Sequence, residues 1–221
     1  MHPQTRLGAG LVLACLAIAP AWSAGPPDTT EDGLKLTTVK GIDLAYVRPG
    51  ASFASYKRFM VDPADVAFAK DWKPDRPGSM LPISKGEREE IRTGLAKLFN
   101  ETFGSELQKG GYAIVKESAP DVLRVSAKLV DVYINAPNVG TAARGKTFVL
   151  SAGRMTLVVE LRDSETGAVI ARAADRSQAR EYQQAQWSTG PWNVGEATDM
   201  IKAWAKILRE RMDAVRKQPA S

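Results

Sequence analysis

The sequence predicts an α+β fold: an antiparallel β-sheet with two amphipathic helices packed on one face, a two-layer sandwich. Three observations predict it. Period-2 alternation of apolar and polar residues recurs in the middle of the chain, and short strand-like segments ended by Pro and Gly precede it. Two longer segments, one central and one near the C-terminal end, carry apolar residues at helical spacing. The order is strands, helix, strands, helix, without an internal repeat, and each amphipathic helix needs one apolar surface to cover it.

Residues 1–23 stand apart from this fold. Leu11 to Ala19 is apolar and free of acidic residues, Arg6 precedes it, and small residues follow. Ala19-Pro20-Ala21 and Ala21-Trp22-Ser23 both offer cleavage sites, the layout of a secretory signal. A bilayer-spanning helix needs roughly 20 residues, more than this run supplies. The competing reading, a buried N-terminal helix, lacks the polar face or cap it would need.

The one cysteine, Cys15, lies inside this segment, and the one histidine is His2. Val12-Leu13-Ala14-Cys15 resembles a lipobox, which makes Cys15 a candidate lipidation site and the protein a candidate for lipid-anchored or peripheral membrane association. Few residues precede Cys15, however, and the chain stays apolar after it. The plainer reading is a small hydrophobe in the signal core. Cleavage near Ser23 leaves a mature chain with neither Cys nor His. That composition removes Cys nucleophiles, Ser-His-Asp triads and the usual zinc and transition-metal ligand sets. No cofactor or metal is expected. The net charge of +5, lowered by one when Arg6 leaves, suits a protein near anionic lipid or glycan surfaces and is too small to indicate nucleic acid.

Residues 24–33 (AGPPDTTEDG) read as a flexible leader, residues 34–217 as one domain, and residues 218–221 as a disordered tail. Leu34 to Val39 and Ile42 to Val47 are predicted strands, the second ended by Pro49-Gly50. Lys57 to Val61 is a third, stopped by Asp62-Pro63. Residues 70–83, with three prolines, form an irregular connection. Ser84 and Glu87 match a capping box that opens a helix over 85–109. Ile91, Leu95, Leu98, Phe99, Phe103 and Leu107 mark its apolar face, and Lys109-Gly110-Gly111 ends it.

Tyr112 to Val115 is a short predicted strand. Leu123, Val125, Ala127 and Leu129 alternate with Arg124, Ser126 and Lys128, and the apolar set then slips to Val130, Val132 and Ile134, which predicts a bulge near Leu129-Val130. Residues 135–145 read as a loop. Met155, Leu157, Val159 and Leu161 alternate again, Asp163 to Gly167 turns, and Val169, Ala171 and Ala173 resume, giving a β-hairpin. Residues 182–192 form a loop. Asn193 and Glu196 repeat the capping pattern, with Trp192 as a hydrophobic staple. Ala197, Ile201, Trp204, Leu208, Met212 and Val215 mark the face of the last helix, and Arg209, Arg211, Arg216 and Lys217 suit its C-terminal dipole.

Tyr46-Val47-Arg48-Pro49-Gly50, Tyr56-Lys57, Val66-Ala67-Phe68 and Lys70-Asp71-Trp72 form a recognisable block. Together with the hairpin Glu160 to Ser164 and Thr166-Gly167, it resembles a bacterial family of exported proteins catalogued as domain of unknown function 3313, over roughly residues 40–210. The resemblance implies a Gram-negative envelope protein, often a lipoprotein, and implies no activity.

Four groups are candidate sites. Asp62 and Asp65, near Asp71, Asp75 and Arg76, would serve glycoside hydrolysis or calcium, against the ordinary use of Asp at turns and helix starts. Tyr46, Arg48 and Tyr56 flank the Pro-Gly turn and would hold an acidic or glycan ligand by stacking and bidentate hydrogen bonds. The plainer reading packs the tyrosines and pairs the arginine. Trp187 and Trp192, beside Gln183, Gln184 and Gln186, would suit glycan or partner contact, or else staple the last helix and cover the core edge. Gly140 to Thr147 matches G-x-x-x-x-G-K-T to the letter, but Phe148-Val149-Leu150 after it is a β-run, not a helix, so the match is read as coincidence.

The leading expectation is a non-enzymatic protein of the periplasm or outer membrane that binds a partner protein or envelope polymer. The alternatives are a carboxylate-based envelope enzyme acting on glycan, and a small-ligand-binding module with a pocket between helices and sheet lined by the Tyr46–Tyr56 segment.

Overall fold

The computed structural model describes residues 25–73, 82–138, 149–178 and 192–217. The strands are β1 (Lys35–Thr37), β2 (Leu44–Val47), β3 (Arg58–Val61), β4 (Asp65–Phe68), β5 (Ala113–Ile114), β6 (Val122–Asn138), β7 (Val149–Asp163) and β8 (Val169–Gln178). The helices are α1 (Lys85–Lys109) and α2 (Trp192–Lys217). The strands form one sheet in the order β1-β2-β8-β7-β6-β3-β5, with β4 also paired to β6.

The α+β class holds, but the sheet is mixed. β1, β2, β8, β7 and β6 pair antiparallel, whereas β3 and β4 run parallel to β6, and β5 runs parallel to β3. The cause is α1. The chain leaves β3 and β4, crosses over through this helix and re-enters the sheet from the same end, which is how parallel neighbours are joined. Alternation along a strand reports its faces and is silent on the direction of its neighbours.

Register places both helices on one face. Directly opposite residues of an antiparallel pair share a face. Val125 stands opposite Leu161, and Leu161 opposite Ala171; Ala127, Val159 and Ala173 form a second such row; Leu129, Leu157 and Asp175 form a third. Under these rows lie Ile91, Leu95, Phe99, Phe103 and Leu107 of α1 and Ala197, Ile201, Trp204 and Met212 of α2, all buried in one core. Each large apolar side chain buried there contributes about 1.5–3 kcal/mol. The opposite face is polar. On it Glu160 lies between Arg162 and Arg172, and Arg172 continues to Asp32 at 3.2 Å.

Local signals fix α1. The Ser84 hydroxyl accepts from the Glu87 N–H at 3.2 Å, and the Glu87 carboxylate accepts from the Ser84 N–H at 2.8 Å. At the far end Gly111 has φ +80°, a conformation that suits glycine. Gly110 is required for room: a Cβ there would meet the Cγ and Cδ of Arg209 at 2.8 Å.

Five features differ from expectation. β4 was not anticipated, because Pro63 interrupts the alternation and only four residues pair. The bulge in β6 lies between Val130 and Tyr133, just beyond the phase slip, and Asp131 takes φ +52° there. Residues 135–138, read as loop, extend β6, because Asn135 and Asn138 still pair with Ser151 and Val149 across irregular register. Helix α2 begins at Trp192, so Asn193 is inside the helix and not its cap. Residues 28–36, which include the end of the leader, make a turn and a bridge: the Leu36 N–H donates to the Asp28 carbonyl at 2.9 Å, and Thr29 bridges Lys35.

Candidate functional site

The site is an apolar groove of about 360 Å³ between α2 and the strands β2, β7 and β8. Its origin is a deficit of side-chain volume. Ala45 of β2 stands opposite Ala173 of β8, and Val47 opposite Ala171. The sheet therefore offers methyl groups where larger side chains would reach α2. Trp204 fixes the helix above them: its indole Nε1–H donates to Asp175 on β8 at 2.7 Å. Beyond Trp204 the helix passes over the alanine rows, leaving Val47, Val159 and Leu208 only half-buried. Phe53, from the segment after β2, also lines it.

Two arginines line the groove and differ in state. The Arg172 guanidinium is committed on the other face of the sheet, to Glu160 at 2.9 Å and Asp32 at 3.2 Å. Arg211 of α2 is exposed and makes no ion pair among the described residues. Among the described residues no carboxylate lines the groove.

Tyr46, Arg48 and Tyr56 lie close in sequence, but each is engaged by the protein. The buried Tyr46 donates its hydroxyl to the Pro27 carbonyl at 3.0 Å. Arg48 Nε donates to the Val169 carbonyl at 2.7 Å. Tyr56 is buried and donates to the Asp163 carboxylate at 3.0 Å. Burial, reinforced by Asp163, pushes the Tyr56 phenol up to about 12. Asp163 is held below the usual carboxylate range, first by the Thr166 N–H, in the turn between β7 and β8. The expected ligand segment from Tyr46 to Tyr56 does supply groove lining, through Tyr46, Val47 and Phe53.

Asp62 is paired with Arg124 at 2.9 Å and accepts from the Ser126 hydroxyl at 2.5 Å. Asp71 is paired with Arg154 at 3.0 Å. Asp65 is exposed on β4. Among the described residues no cluster of three or more acidic, His or Cys residues could hold a metal ion. No described helix is long and apolar enough to cross a membrane. Cys15, Asp75, Arg76, Trp187 and Gly140 to Thr147 lie outside the described residues, as do residues 1–24 and the side chain of Trp192, the first residue of α2.

Two features escaped the sequence reading. In the sequence the alanines at 171 and 173 show only alternation, although their small size creates the groove. Glu106 was not singled out, yet it is buried between the helices, paired with Lys109 at 2.7 Å and Arg209 at 3.3 Å. These two cations, Lys109 first, hold its carboxyl below the usual range against the opposing effect of burial. A signal was available: Glu106 interrupts an otherwise apolar helix face next to Phe103 and Leu107.

A family model described as "Protein of unknown function (DUF3313)" matches residues 32–208. No curated protein matches the chain by sequence. Among solved structures, the PelC dodecamer from Paraburkholderia phytofirmans aligns at 13% identity over 79% of this chain and 96% of that one, TM-score 0.36. Protein XCC0632 from Xanthomonas campestris aligns at 10% identity over 76% and 93%, TM-score 0.36. A minor lipoprotein from Acinetobacter baumannii aligns at 10% identity over 73% and 95%, TM-score 0.31.

Proposed function

The chain belongs to the DUF3313 family, which has no assigned function, and from that premise we propose that it is an exported, non-enzymatic envelope protein that holds an apolar ligand in the groove under α2. The groove carries the reading. It measures about 360 Å³, within the roughly 300–1,000 Å³ of small-molecule sites, and is lined almost wholly by apolar side chains. Half-buried Val47, Val159 and Leu208 are surface that an apolar ligand would take out of water. Export rests on the apolar run Leu11 to Ala19 and the small-residue sites after it.

The test is titration with 1-N-phenylnaphthylamine, an uncharged apolar dye whose emission rises on leaving water. The expected result is saturable binding at one dye per chain, weakened by Leu208→Gln, which puts an amide in the groove while the protein stays folded. Absence of saturable binding, or binding indifferent to Leu208→Gln, overturns the reading.

A further inference from the structure

Resting on that groove reading, we propose that the ligand is a single-chain anionic amphiphile, its hydrocarbon chain under α2 and its acidic head on Arg211. The argument begins with the helix repeat. Ile207, Leu208, Ala214 and Val215, one turn before and one turn after Arg211, all line the groove with it, so this residue interrupts the apolar stripe of α2. The neighbouring carboxylates of α2 are occupied elsewhere. Glu210 pairs with Lys206 at 3.7 Å, and Asp213 accepts from Tyr112 at 2.9 Å and faces Arg209 at 3.5 Å. With no carboxylate among the described lining residues and Arg172 turned away, Arg211 is the one described lining cation whose charge no described residue offsets.

An apolar groove with one such guanidinium selects against neutral and cationic amphiphiles and for an anion, which Arg binds with two parallel hydrogen bonds. The volume sets the chain number. An apolar cavity of about 150 Å³ takes up one benzene, six carbons, so about 360 Å³ has room for roughly a dozen carbons. The groove thus takes one chain of roughly a dozen carbons, not the two of a bilayer lipid.

The experiment displaces bound phenylnaphthylamine with dodecanoate, dodecanol and dodecyltrimethylammonium, each below its micelle concentration. Dodecanoate is expected to compete at about tenfold lower concentration than dodecanol, and the cation is expected to compete worst. Arg211→Gln should erase the preference of acid over alcohol, and Arg211→Lys should restore part of it. Equal competition by acid and alcohol overturns the head-group assignment and leaves the apolar groove standing. Dye binding that none of the three displaces overturns the single-chain assignment. Absence of dye binding overturns the groove reading as well. A dimer in sedimentation that excludes the dye assigns the groove to a second copy and also overturns the proposal.

Discussion

The side chain of Asn100 donates from Nδ2 to the carbonyl of Asp62 at 3.0 Å, tying α1 to the break between β3 and β4. Its Oδ1 accepts from the N–H of Ala64 at 3.1 Å. One amide thus satisfies both backbone groups that flank Pro63, where the pairing with β6 lapses. Replacing Asn100 by Leu keeps the bulk and removes both hydrogen bonds. Each backbone group left unsatisfied costs about 1–3 kcal/mol. Urea unfolding should therefore show a lower midpoint at an unchanged slope, and Asn100→Asp, which keeps the acceptor, should fall between the two.

Acid and base limbs of stability should respond in opposite directions at two glutamates. Glu106 has a folded pKa below its ordinary value of 4.5, owing first to Lys109. Its contribution to stability is present above that ordinary value and is lost as pH falls through the folded value. Glu106→Gln should therefore destabilise at neutral pH, with the difference shrinking in acid. Glu196 near the start of α2 has its pKa raised from 4.5 by burial alone. Its ionisation opposes folding increasingly as pH rises above the ordinary value, and fully above the raised one. Glu196→Gln should stabilise at neutral pH, and the gain should vanish below the ordinary value. Thermal melts of both variants across this acid range check the two signs.

Export makes a prediction about mass. In protein recovered from its native host, the N-terminus should fall between residues 21 and 24, with Cys15 absent, and intact mass spectrometry reads this directly. A mass beginning at a lipid-bearing Cys15 would instead place the chain on a membrane surface. An unprocessed mass would refute export.

What the sequence made legible was what is settled locally. Ser84, Glu87 and the Gly110-Gly111 pair bound α1 without reference to the rest of the chain, and the structure places that helix at Lys85–Lys109. The turn at Asp163 to Gly167 is equally local: Asp163 accepts from the Thr166 N–H at 2.8 Å. Pairing between distant segments was not legible. Nothing within Arg58–Val61 states that it runs parallel to Val122–Val125, since that direction comes from the crossover between them. The groove was hidden for the same reason. Ala171 and Ala173 showed which face of β8 points inward, but a groove exists only because Ala45, another small residue, arrives beside them from far up the chain. Arg211 belonged equally well to a basic helix end until its neighbours one turn away proved to line a groove.

The sheet order also governs when each part can fold. The Asp43 N–H donates to the Asp175 carboxylate across 132 residues of chain, and β2 has β8 as its inner neighbour. A chain emerging N-terminus first thus presents β1 and β2 with no strand to dock on until nearly everything else has been delivered. Ordering one flank of the sheet must wait for this distant contact, whose loop-closure entropy slows folding. Such a delay fits the export proposed above, which requires a polypeptide still threadable at a translocation pore.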